Sequence, residues 1–167
     1  MRAHLFIDGA NIYRGAQEHA KDARIDYKKL VDLLAEQTNT EIMRTHFYTA
    51  VPKETPIDEK HFLDTIEHLP NFEVKTKPLR ETSSGQEEKE IDVLIATDML
   101  WNGLEGHYEH AILASGDEDL TPAVKRLKDA GLRVTVAAYK KSTSHELVAA
   151  ADTYIDLSKH QEELRLE

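Results

Sequence analysis

Short apolar runs alternate with amphipathic helical patterns along the whole chain, and this order restricts the fold more than any other property of the sequence. An apolar run at 4–7 precedes a helical pattern over 26–36, with Leu30, Val31, Leu33 and Leu34 on one side and Asp26 placed to cap it. A β-branched and aromatic run at 41–49 leads to a helix expected to open at Thr55-Pro56 and to end near His68. A short strand at 72–75, an aperiodic stretch at 78–88 and a helix over 89–101 follow. Next come a strand around Ile112, a helix over 120–130 closed by Gly131, and an apolar strand at 132–137. A short helix at 144–150 and a strand at 153–157 complete the series. Strand and helix in strict alternation predict an α/β fold, a three-layer α/β/α sandwich around a mainly parallel sheet. Right-handed crossovers leave little else. One domain over 1–157, then a charged helix or tail over 158–167, suits the 167 residues.

Composition narrows the function. The chain carries no cysteine, which removes disulfides, thiolate zinc sites and cysteine nucleophiles. No apolar run approaches the roughly eighteen residues of a membrane span, and Met1-Arg2 leads straight into a strand, so a cytoplasmic location with no membrane partner is expected. The net charge of −10 argues against coating nucleic acid by charge alone. It leaves room for an acidic site where bound divalent ions reverse the local sign.

The chemistry concentrates in acids at the ends of strands. Asp8 ends the first apolar run and is followed by Gly9 and Asn11. Ser115, Gly116, Asp117, Glu118 and Asp119 follow the apolar run 111–114 in the same way. Asp92 lies between them, three residues after Lys89, at the start of a helical pattern. In a parallel sheet such positions converge on one edge, where these folds bind their ligands. Each acid also has a plainer reading as a helix cap. Several acids in one short turn exceed what capping needs, and a cluster of like charges calls for a cation. Hard oxygen donors suit Mg²⁺ or Mn²⁺ held by Asp8, Asp92, Asp117 and Asp119. Asp98 lies around the helix from Asp92 and is expected to hold neighbouring helices or loops.

These motifs resemble the NYN domains, in the LabA-like branch of the PIN-like nuclease superfamily. The resemblance is carried by 6–12, 89–93, 96–100, 111–120 and 149–155, in the family's order. It implies a Rossmann-like PIN fold and metal-dependent ribonuclease activity, with Asp8, Asp92, Asp117 and Asp119 as the acidic set and Asn11 beside the first acid. Glu90 stands where the family usually has Gly, and Leu120 where an aromatic residue is common.

Single-stranded RNA is the expected substrate, with DNA a second candidate. Lys75, Lys77, Arg80 and Lys89 surround the aperiodic stretch and would guide the strand, with Arg14, Ser115 and Lys141 as further contacts. Two other readings stay open. A phosphatase with an aspartyl nucleophile would need an acid two residues after Asp8, where Ala10 stands. A non-catalytic binding module, associating as a homodimer through exposed helix faces, would use the acids for a structural ion or as caps.

Overall fold

The structure, a computed structural model, describes residues 1–51, 57–79 and 85–167. Among the described residues the six strands are β1 (Arg2–Asp8), β2 (Glu41–Val51), β3 (Phe72–Pro78), β4 (His110–Ala114), β5 (Arg133–Ala138) and β6 (Thr153–Asp156). They form one parallel sheet in the order β3-β2-β1-β4-β5-β6. The helices are α1 (Gly9–His19), α2 (Tyr27–Thr38), α3 (Ile57–Glu67), α4 (Gln86–Leu104), α5 (Thr121–Asp129), α6 (His145–Ala150) and α7 (Gln161–Leu164).

β1 lies between β2 and β4, and its Leu5, Phe6 and Ile7 are fully buried. A strand covered on both faces reads as a continuous apolar run, which is why the pattern at its start shows no alternation. Successive side chains still point to opposite faces. Leu5 and Ile7 join a core with Ile12, Leu30 and Leu34 under α1 and α2. Phe6 joins the opposite core with Ile95, Met99 and Leu127 under α4 and α5.

Local chemistry sets most boundaries. The Asp26 carboxylate accepts from the amides of Lys28 and Lys29, and Asn39 ends α2 in the left-handed conformation. Gly131 follows α5 with φ +85°, where a side chain would be strained. Ser144 caps α6.

Two expectations change. A further helix, α1, begins directly after Asp8, so the carboxylate caps it. Gly9 is needed there because a Cβ would lie 2.8 Å from the Tyr48 carbonyl. Helix α4 begins at Gln86, so the connection from β3 is shorter than the aperiodic stretch implied, and Asp92 stands nearly two turns inside the helix. The terminal segment, expected as a charged helix or tail, holds the short helix α7 and is docked. Leu157 and Leu164 are fully buried, and the Asp26 and Leu166 amides donate to the Leu164 and Arg24 carbonyls. The opening at Thr55-Pro56 and residue Arg80 lie outside the described residues.

Candidate metal centre

The order of the strands reverses direction between β1 and β4, and there the carboxylates meet. Asp8 sits at the last position of β1, 5% exposed. One of its oxygens accepts from the Asn11 amide at 3.2 Å and the other from the Ser115 hydroxyl at 3.2 Å. Asp117 lies just beyond β4. Its amide donates to Ser115 Oγ at 3.2 Å, and its Oδ1 accepts from the Asp119 amide at 2.9 Å. Asp92 comes from α4 and is 9% exposed. Oxygen atoms of Asp8, Asp92 and Asp117 all lie within 4.8 Å of one another.

Three carboxylates so close cannot all ionise at neutral pH without a cation. Burial, a hydrogen bond with Asp117, and the charges of Asp117, Asp8 and Asp119 push Asp92 up to about 8. Burial also raises Asp8, against the lowering effect of its bonds from Asn11 and Ser115. A proton therefore lies where a divalent ion would compensate the charge. The donor set is all oxygen, which fits Mg²⁺ or Mn²⁺.

The turn that carries Asp117 is held on several sides. Asn11 Oδ1 accepts from the Gly116 amide at 2.9 Å, and the Gly116 carbonyl accepts from the Ser144 amide at 2.9 Å. A Cβ on Gly116 would stand 2.3 Å from the Ser142 carbonyl oxygen. The close approach that this glycine permits is thus to the segment after β5. Asn11 serves as a clamp between α1 and the β4 turn, with its side-chain oxygen on the Gly116 amide.

The other candidate residues are less closely gathered. Asp119 is exposed and outside the group of three, and it reaches Asp92 through its field. Lys75 is committed elsewhere, donating to the Asp98 carboxylate that also accepts from the Tyr48 hydroxyl at 2.8 Å. Asp98 thereby ties α4 to two strands, β2 and β3, and not to a neighbouring helix or loop. Lys77 is half-buried on the edge strand β3, while Lys89 on α4 and Lys141 after β5 are exposed. Arg14 lines the small cleft at the carboxylates, together with Thr49 and Glu88. Its guanidinium donates to Glu88 at 2.7 Å. Glu88 went unnoticed in the sequence, although its spacing of four residues from Asp92 places both on one helix face.

Fold and site together define the class: a PIN-like α/β protein with an acidic centre at the switch point of its sheet. A protein of unknown function from Vibrio parahaemolyticus has the same fold, with a TM-score of 0.81 at 22% identity over 99% of this chain and 96% of that one. The NYN domain profile matches residues 2–158, and the chain belongs to the NYN family. It is 29% identical over 163 residues to the low amplitude and bright protein LabA of Synechococcus elongatus, covering 94% of this chain and 84% of LabA. No described helix is long and apolar enough to cross a membrane.

Proposed function

We propose that this protein is a divalent-metal-dependent nuclease that hydrolyses phosphodiester bonds of single-stranded RNA. The observation that carries the reading is the convergence of Asp8, Asp92 and Asp117 within 4.8 Å, with a proton retained on Asp92 to about pH 8. A site built for structure alone would pair such acids with bases. Membership of the NYN family supports the same chemistry. Mg²⁺ or Mn²⁺, when bound, would activate water and neutralise charge on the phosphodiester.

The chain's own residues have distinct parts. Asp8, Asp92 and Asp117 would hold the ion, with Asp119 adding negative field from the rim. Ser115 orients Asp8 by donating to it and orients Asp117 by accepting from its amide. Asn11 keeps the Gly116 turn in register with α1. Lys77 supplies positive charge on the same side of the sheet for the phosphate backbone.

The test is cleavage of end-labelled RNA and DNA in Mn²⁺, Mg²⁺ or EDTA by the wild type, Asp92→Asn and Asp117→Asn. Metal-dependent cleavage of RNA, reduced at least ~10³-fold in both folded variants, is expected. Cleavage of DNA alone would replace the substrate. Metal binding without turnover on either would favour a non-catalytic module on a nuclease fold.

A further inference from the structure

Helix α4 buries one side and carries three large apolar side chains on its outer side. Ile91, Ile95 and Met99 face the core, yet Val93, Trp101 and Leu104 point outward at 66%, 60% and 67% exposure. A surface helix normally turns a polar side to water, so three large apolar side chains exposed on one outer face stand out. Among the described residues, nothing covers this outer side.

The outer side also has a definite internal symmetry. Lys89, Val93, Thr97, Trp101 and Glu105 recur every four residues and form one ridge along the helix. Thr97 stands at the middle, with its hydroxyl turned back to the Val93 carbonyl at 2.7 Å. Val93 and Trp101 lie at equal distances on either side of it, and Lys89 and Glu105 at the two ends.

We infer that two copies of this chain associate through the outer face of α4, crossing antiparallel about a two-fold axis at Thr97. That operation brings each Trp101 against Val93 of the second copy, a large side chain against a smaller one. It also brings each Lys89 toward Glu105 of the second copy. A parallel crossing would oppose Lys89 to Lys89 and Glu105 to Glu105, so charge selects the antiparallel arrangement. Both end residues are exposed, and neither enters the ion pairs formed among the described residues. The contact is isologous, the ordinary solution for a soluble homodimer.

The extent of the surface sets the strength. One helix crossing covers on the order of half the ~800 Å² per partner of a standard interface, the size of a weak, reversible contact. Lys89 then faces a second copy in place of a substrate. The nuclease reading plays no part in the inference.

Trp101 is the sole tryptophan and reports the contact directly. Sedimentation of the full chain across a dilution series should show a monomer–dimer equilibrium, with tryptophan emission moving to shorter wavelength as the dimer forms. Trp101→Glu should leave the melting temperature of the monomer unchanged and raise the dissociation constant at least ~30-fold. Lys89→Glu should weaken the dimer roughly tenfold, and adding Glu105→Lys should restore it. A wild type that stays monomeric at every concentration overturns the inference. So does a dimer that survives Trp101→Glu, or a charge reversal that the second exchange fails to rescue.

Discussion

Asp92 and Asp98 share helix α4 and lie largely out of solvent, but their surroundings differ in kind. Asp98 accepts from Tyr48 and Lys75, one a neutral donor and the other a cation. Asp92 faces Asp8 and Asp117, and burial with these neighbours holds its proton to about pH 8. One carboxylate is satisfied by the protein itself. The other is satisfied only by something the chain does not encode, a proton or an ion. Burial alone therefore does not mark a functional acid; the sign of what it is buried against does.

Removing the satisfied acid should have the largest effect on stability. Asp98→Ala leaves the Lys75 ammonium and Tyr48 hydroxyl without their partner and should cost about 2–4 kcal/mol. Thermal melting should fall by roughly 5–10 °C, while the folded fraction keeps its metal affinity. An unchanged melting temperature would break the comparison from the structural side.

The clamp at the site comes next. Asn11→Ala strips the buried Gly116 amide of its acceptor and should cost about 1–2 kcal/mol. Turnover should fall further than stability predicts, because Asp117 rides on that turn. Equal losses in cleavage and folded fraction would reduce Asn11 to scaffolding.

The pH dependence separates the two classes of buried group. Burial lowers His4 and His110 to about 4 and His46 to about 3, so the unfolded chain takes up protons first as pH falls below 6.5. Their contribution is present above pH 6.5 and is lost in acid. Asp92 works the other way. Its native form keeps a proton that the unfolded chain has released above 3.8, so its contribution is lost as pH rises toward 8. Between about pH 7.5 and 9 these three histidines are close to neutral in both states, so Asp92 sets the slope. The metal-free protein should lose on the order of 1 kcal/mol there, read as a drop of a few degrees in melting temperature. Asp92→Asn should flatten this slope, and Mn²⁺ should stabilise the wild type most at pH 8. A flat wild-type curve would mean that the three acids are not coupled.

The smallest effect should be at the rim. Lys77→Ala should weaken RNA binding without changing the melting curve, and lower the salt slope by about 0.7. An unaltered slope would remove Lys77 from the path of the strand.

The parallel sandwich was legible because strands buried on both faces and helices with one apolar side follow different periodicities. The convergence of Asp8 and Asp117 was legible for a related reason: both end apolar runs, and parallel strands present such ends together. Less could be read where one residue serves two ends. Asp8 caps α1 and faces the metal centre, so neither reading excluded the other. Helix α1 was obscured by Gly9 and Gly15, poor helix formers that are present because a Cβ would meet Tyr48 or Tyr139. The commitment of Lys75 to Asp98 depends on β3 lying against β2 and α4, a tertiary fact without a local signature.

The position of β1 at the middle of the sheet has a consequence for how the molecule comes into being. Strand β1 must wait for β4, over a hundred residues later in synthesis, before its second edge is paired. At typical elongation rates of ~10 residues per second, that wait lasts on the order of ten seconds. The β3-β2-β1 half can assemble in that interval, but Asp8 and Asp92 then lack Asp117. A nascent chain is thus held in a form without the three-carboxylate centre until both halves of its sheet have closed.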